Sequence, residues 1–388
     1  MPVKRRRFAA RRRAVGLSQE QLAEVLHVDR STVGRWESGE TEPQPWVRPR
    51  LARALQVSAD DLEGLLADTA AERDDGSGRL EYALAHPDSA DLVTVAQIRQ
   101  QVQDLDERYV HVPSTLLLAD TGQCLGQVRF LGIHARNWRV RQELCHVRAE
   151  ASLLMGQLVW DASQRRDHAS ARTYLDQAID AARECGYLAL EGLALLRKSM
   201  IALYGEANPE NGLAIASEAA DTAKRASAVL GGLATLHAAE AYAMRGEATS
   251  CEKALHDADR QLGCVSTADA AIGLFSPGLY GRMAGSCYLF LGDAKRARTH
   301  LDATAAALGD RSKAQAIVLG NLALACIQLG DLDEAAARLH QAIDVLELNR
   351  GGGGLNIVFK AGRELLPWRT APVARDVQDR LLSLMTAN

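Results

Sequence analysis

A chain of 388 residues is too long for one compact core and predicts a small domain beside a large one, or an extended repeat array. Hydrophobic residues make up 47%, charged residues 24% and aromatics 5%, which excludes a wholly disordered chain and suits a globular protein of Ala- and Leu-rich helices. The net charge of −4 hides an asymmetry: residues 1–57 carry twelve Lys and Arg against six Asp and Glu, a net of +6 that leaves −10 for the rest. That split points the N-terminal part at a polyanion, with a solvated basic tail as the alternative.

The first 66 residues read as five short helices. Residues 4–14 form the first, ended by Gly16. Ser18 caps the second with Gln21 in a capping box, and Leu22, Val25 and Leu26 form its buried face. Asp29 caps a third helix from Arg30 to Ser38, with Val33 and Trp36 inward and Gly39 closing it. Pro43 and Pro45 lead into a fourth helix at 46–55, with Leu51, Ala54 and Leu55 inward, and Ser58 caps a fifth that ends near Leu66.

The stretch from Gly16-Leu17-Ser18-Gln19-Glu20-Gln21-Leu22-Ala23 to Asp29-Arg30-Ser31-Thr32-Val33-Gly34-Arg35-Trp36-Glu37-Ser38-Gly39 resembles the phage-repressor type of helix-turn-helix, the XRE family. The resemblance implies that the third helix lies in the DNA major groove. It places Arg30, Ser31 and Arg35 at base edges, where an arginine can grip guanine through two hydrogen bonds. Ser18, Gln19, Thr32 and Arg13 are expected at phosphates, and Arg12 is expected to pair with Glu37. Phosphate contact alone is the alternative role for Arg30 and Arg35. Gly34 departs from a good helix sequence and leaves room where a side chain could collide with DNA. The runs Arg5–Arg7 and Arg11–Arg13 read as a solvated face or diffuse phosphate contact. Because one such domain covers little DNA, a homodimer on an inverted-repeat operator is expected.

Residues 67–88 are polar and glycine-bearing, and read as a linker. From residue 89 to 388 the pattern is helical, with turns at Arg166-Asp167, Gly205-Glu206, Gly246-Glu247, Gly292-Asp293 and Gly330-Asp331. Their spacings of 39, 41, 46 and 38 residues indicate stacked helix pairs, a solenoid. In the last unit Leu322, Ala323 and Cys326 face Ala335, Leu339 and Ala342, and related sets recur at Gly285, Tyr288, Ala297 and Leu301, at Ala239, Tyr242, Cys251 and Leu255, and at Ala171, Leu175 and Ala178. These units resemble the tetratricopeptide repeat. Around Gly205 the pattern departs, because Pro209 is expected to interrupt the second helix. Residues 351–354, four glycines, read as a hinge or as a ligand-wrapping turn, and 355–388 as one or two capping helices. The fold class is therefore all-α, a five-helix DNA-binding domain followed by a tetratricopeptide-like α-solenoid that serves as sensor and dimerisation domain.

A helix-turn-helix followed by such repeats is similar to bacterial quorum-sensing regulators, whose repeats bind a short signalling peptide and change DNA binding. The resemblance implies a signal-responsive transcription regulator, its partner at the repeats being a peptide, a small molecule or a protein. Candidate groove residues are Trp160, Arg197, Tyr204, Tyr242, Arg282 and Asn321, with core packing as the alternative for each. The rival reading is a scaffold that sequesters a partner protein and uses the helix-turn-helix for docking only. No catalytic motif and no metal-ligand spacing occurs, so neither an enzyme nor a cofactor or metal is expected. The seven cysteines include no CxxC pair, no signal-peptide core follows the basic start, and no apolar run is long enough for a membrane, so a cytoplasmic protein is expected.

Overall fold

The computed structural model describes residues 5–66, 77–109, 112–276, 278–308, 313–348 and 352–386. Among these residues the regular structure is all helical, in two compact units, Met1–Ala90 and Asp91–Asn388.

The first unit opens with α1 (Arg6–Ala14), α2 (Gln19–Leu26), α3 (Arg30–Ser38), α4 (Arg48–Leu55) and α5 (Ala59–Leu66). Their core is Phe8, Leu22, Leu26, Val33, Trp36, Val47, Leu51, Leu55 and Leu62, which are buried together. The Ser18 capping box forms in both directions, Ser18 Oγ accepting from the Gln21 amide at 3.1 Å and Gln21 Oε1 from the Ser18 amide at 2.7 Å. Two expectations fail here. Val25 is 51% exposed, because Ala23 takes the inward position beside Leu22 and Leu26. Asp29 occupies the N-cap of α3 with extended backbone, yet its side chain makes no capping bond.

The polar stretch read as a linker is not wholly irregular: α6 (Ser77–Ala85) forms within it, with Leu80 and Ala83 buried. Their spacing of three residues is helical and was masked by the surrounding charges.

The second unit begins with α7 (Leu92–Tyr109) and α8 (Leu118–His134). Helix pairs follow: α9 (Trp138–Ala162) with α10 (His168–Glu184), α11 (Leu188–Met200) with α12 (Pro209–Ala223), α13 (Ala228–Met244) with α14 (Ala248–Leu262), α15 (Leu279–Phe290) with α16 (Ala294–Ala307), and α17 (Lys313–Leu329) with α18 (Leu332–Leu348). The first helix of each pair also packs on the first helix of the next, which is the stacking of a solenoid. Small residues set the spacing within pairs. A Cβ on Gly285 would lie 2.4 Å from Leu301 Cγ, so the leucine of α16 seats directly on the backbone of α15.

The turns at Gly246, Gly292 and Gly330 have φ of +76°, +76° and +80°, a conformation glycine adopts without strain. The turn near Gly205 is built differently. Helix α11 ends in a π-helical turn, Ile201–Gly205, and Ala207 carries the positive φ of +50°. Pro209 does not interrupt a helix; it stands at the start of α12, where a missing amide costs nothing. The longer interval before Gly292 holds a segment whose Asp269 carboxylate accepts from the Ser227 hydroxyl at 2.5 Å and the Ala228 amide at 2.8 Å, so that it caps α13 from outside.

Two helices close the array, α19 (Gly352–Glu364) and α20 (Pro372–Thr386). Gly352–Gly354 are neither hinge nor ligand turn but the first turn of α19, where a Cβ on Gly354 would lie 2.9 Å from Ala316 Cβ of α17. Gly351 lies outside the described residues.

Candidate nucleic-acid interface and the repeat-domain polar cluster

In the first unit, α3 presents Arg30, Ser31 and Arg35 to solvent while Val33 and Trp36 anchor its other side. Thr32 is partly buried and its hydroxyl accepts from Arg35 Nη2 at 3.4 Å. Arg30 Nε lies 3.1 Å from Glu20 Oε1 on α2, an exposed pair that contributes little to stability and leaves the guanidinium free to exchange partners. A Cβ on Gly34 would meet nothing within 4 Å, so the α3 backbone is open there.

Beneath this surface Glu37 ties three helices together. Its Oε1 accepts from Arg12 Nε of α1 at 2.7 Å and its Oε2 from Gln19 Nε2 of α2 at 2.6 Å. The Arg12 and Glu37 side chains are only 9% and 13% exposed, so the pair is held out of water and fixes the pitch of α3. Arg12 Nη1 also donates to the Leu17 carbonyl at 2.6 Å. Gln19 is thus committed to Glu37, whereas Ser18 keeps its position at the start of α2 and Arg13 is exposed with Nε 3.2 Å from the Ala9 carbonyl.

The basic runs divide in a way that charge counting missed. Arg5 is buried: Nε donates to the Leu66 carbonyl at 2.7 Å, Nη1 to the Thr41 carbonyl at 2.8 Å, and Nη2 pairs with Glu42 at 3.2 Å. Arg11 donates to the Leu55 and Gln56 carbonyls at 2.8 and 2.6 Å. These arginines cap the ends of α4 and α5 rather than forming a diffuse phosphate surface.

With this geometry, a positioned helix over a buried Arg-Glu-Gln node, residues 8–62 match the helix-turn-helix family model. Residues 8–62 form a helix-turn-helix domain. No curated protein matches the chain. Among solved structures the chain is similar to the apo form of the quorum sensor NprR from B. thuringiensis, at 16% identity and a TM-score of 0.42 over 82% of this chain and 94% of that one.

The candidate groove residues of the second unit separate into two groups. Tyr242 packs partly buried against the main core, and Asn321 is 5% exposed within α17. Trp160 is 6% exposed, its Nε1 has no acceptor among the described residues, and the Arg165 guanidinium lies 4.6 Å over its ring. Tyr204, by contrast, joins a polar network that sequence reasoning missed. Its hydroxyl donates to Glu240 Oε2 and lies 2.8 Å from His237 Nδ1, and the Ser286 hydroxyl donates to Glu240 Oε1 at 2.5 Å. Burial alone would raise the Glu240 carboxyl, but the His237, Ser286 and Tyr204 partners outweigh it and hold it below the usual carboxylate range. A usable signal was present, since Glu240 is the sole carboxylate in the apolar sequence of α13.

A second polar group forms where α7 meets α9. Tyr109 Oη donates to Asp161 Oδ2 at 2.5 Å. Among the described residues no group of His, Cys, Asp and Glu has the arrangement of a metal site, and no helix is long and apolar enough to cross a membrane.

Proposed function

We propose that the chain is a sequence-specific DNA-binding transcription regulator whose repeat domain receives a signal and changes operator binding. One observation carries the reading: Arg30, Ser31 and Arg35 stand exposed on a helix whose inner side is locked by the buried Arg12–Glu37 pair. Exposed side chains on a rigidly seated helix are what base readout requires, since the phosphate contacts that set register carry no sequence information. Arg30 and Arg35 take the base-contacting role with Ser31, while Ser18, Thr32 and Arg13 hold phosphates. Gln19, bonded to Glu37, supports the node and offers its backbone amide at the start of α2. Two copies on an inverted repeat would supply the interface that one small domain lacks. Stacked helix pairs of this kind offer an extended binding surface, which suits a peptide or small-molecule signal.

Selection of bound sequences from a random duplex pool tests this reading, with Arg30→Ala and Arg35→Ala in parallel. An inverted-repeat motif whose selectivity collapses in both variants is expected. A folded wild type that enriches no motif would favour the scaffold reading, in which the repeats sequester a partner protein.

A further inference from the structure

The turn between α9 and α10 is held in an uncommon shape. Gln164 and Arg165 take positive φ of +53° and +62° in succession, a conformation that residues with side chains disfavour, and the Arg165 amide donates to the Trp160 carbonyl at 2.7 Å. From this turn the Arg165 side chain lies over Trp160, its guanidinium 4.6 Å from the ring centre, with Nε 3.7 Å from Asp161 Oδ1, an ion pair too long for a hydrogen bond. Asp161 already accepts from the Tyr109 hydroxyl of α7 at 2.5 Å. The far end of the guanidinium reaches a helix that comes much later in the chain. A Cβ on Gly353, in the first turn of α19, would lie 3.1 Å from Arg165 Nη2 and 3.4 Å from Ile317 Cδ1 of α17. The two residues are 353 − 165 = 188 positions apart, with α10 through α18 between them. Repeats in a solenoid touch their neighbours, so this contact exists because the array bends until α9 meets α19.

We infer that Arg165 is a latch that joins α9 to α19 and holds the curvature of the array, and that this latch is set to open. Gly353 admits it, since a larger residue would stand between the guanidinium and the α19 backbone. Closure carries costs of its own. Arg165 Nε and Trp160 Nε1 are buried without a hydrogen-bond acceptor among the described residues, and two successive residues are kept in left-handed backbone. Opening returns both donors to water, so the closed and open curvatures lie close in free energy, and a molecule that binds one of them better shifts the balance. The latch is then the element through which binding along the helices becomes a change of curvature; that link alone rests on the reading of this domain as a signal receiver.

The distance distribution between two spin-labelled unnatural side chains in the full chain tests the latch, with the labels at exposed Ala169 of α10 and exposed Asn356 of α19. Arg165→Gly removes the guanidinium while the turn keeps its positive φ without strain. Gly353→Leu drives a side chain into the contact from the other end and improves helix propensity. The wild type should show a dominant short separation, and both variants should raise the ratio of long to short separations at least tenfold. Arg165→Gly should also unfold at the same or a higher temperature than the wild type, because a strained residue and a buried unpaired donor have both been removed. The latch is overturned if either variant keeps the wild-type distribution, or if the shift comes with a loss of helical circular dichroism, since the array would then have melted rather than unbent. A lower unfolding temperature for Arg165→Gly would overturn its readiness to open and leave an ordinary stabilising contact. Neither measurement contains DNA or a ligand, so a failed latch leaves the proposed function standing, and a failed operator selection leaves the latch.

Discussion

Two helix starts in the N-terminal domain separate what a capping residue does from where it sits. Ser18 satisfies the Gln21 amide and is answered by the Gln21 side chain, whereas Asp29 holds the same position before α3 without a side-chain bond. Ser18→Ala should therefore cost about 1 kcal/mol, and Asp29→Ala only a few tenths. Native-state hydrogen exchange of the α2 and α3 amides reads both, and equal losses would mean that Asp29 caps α3 in solution. Gly34 poses the complementary question. Open space surrounds it, so Gly34→Ala should stabilise α3 by up to about 1 kcal/mol through helix propensity alone. If α3 enters the major groove with this side against the duplex, the same variant should bind its operator at least tenfold more weakly. A stabilised protein with unchanged affinity would place Gly34 away from DNA. At this scale the buried node was legible as a pair, Arg12 with Glu37, because the motif implies it; the Gln19 bond to Glu37 was not, since an amide side chain gives no periodic signal.

The helix pairs of the second unit depend on backbone approach at a few small residues, and the cost of filling that space differs by position. Gly285→Ala forces a Cβ to within 2.4 Å of Leu301 Cγ and should destabilise the unit by about 1–3 kcal/mol. Gly126→Ala on α8, where nothing lies within 4 Å, should instead gain up to about 1 kcal/mol. Urea unfolding of the two variants in the full chain decides the matter, and losses of the same size would rule out close approach at Gly285 as the cause. The cap on α13 adds a pH dependence. Burial works against the Asp269 carboxylate, but Ser227 and the amides of Ala228, Val229 and Ala271 hold its pKa below the ordinary value. A lowered folded pKa means that the stabilisation is fully present above the unfolded value of about 4 and is lost as pH falls through the folded one. Asp269→Asn should thus lower the unfolding midpoint at pH 7, and its difference from wild type should shrink in acid; a constant difference would detach the cap from its charge. Such long-range caps explain which parts of the fold were legible. Turns with glycine at positive φ, at 246, 292 and 330, announce themselves locally, whereas the turn after α11 uses Ala207 and a π-helical segment, which carry no signature. Helix α6 was hidden by its charged surroundings, and the glycines at 353 and 354 read as a break because their role, close packing on α17, is tertiary.

Across the whole molecule the charge asymmetry points towards DNA, but the net of +6 over residues 1–57 overstates the cations available to it. Arg5 and Arg12 are buried, and Arg11 spends its donors on the Leu55 and Gln56 carbonyls, so these three hold the domain together. Arg13, Arg30, Arg35, Arg50 and Arg53 are the better candidates, since their described contacts are exposed and weak enough to exchange. Salt dependence distinguishes the two groups, because each phosphate neutralised adds about 0.9 to the slope of log K against log salt. Arg13→Ala should therefore lower the slope by about one and weaken binding to all sequences alike. Arg11→Gln should leave the slope unchanged, and any loss of affinity should follow its loss of stability. Arg12→Ala should go further, costing about 3–5 kcal/mol because Glu37 is left buried with its main counter-ion gone, yet at concentrations where the variant stays folded its slope should match the wild type. Measuring the four slopes on one operator duplex settles which charges face DNA. A slope that drops for Arg11 or Arg12 as much as for Arg13 would return these residues to the phosphate surface and unseat the division between clamp and contact.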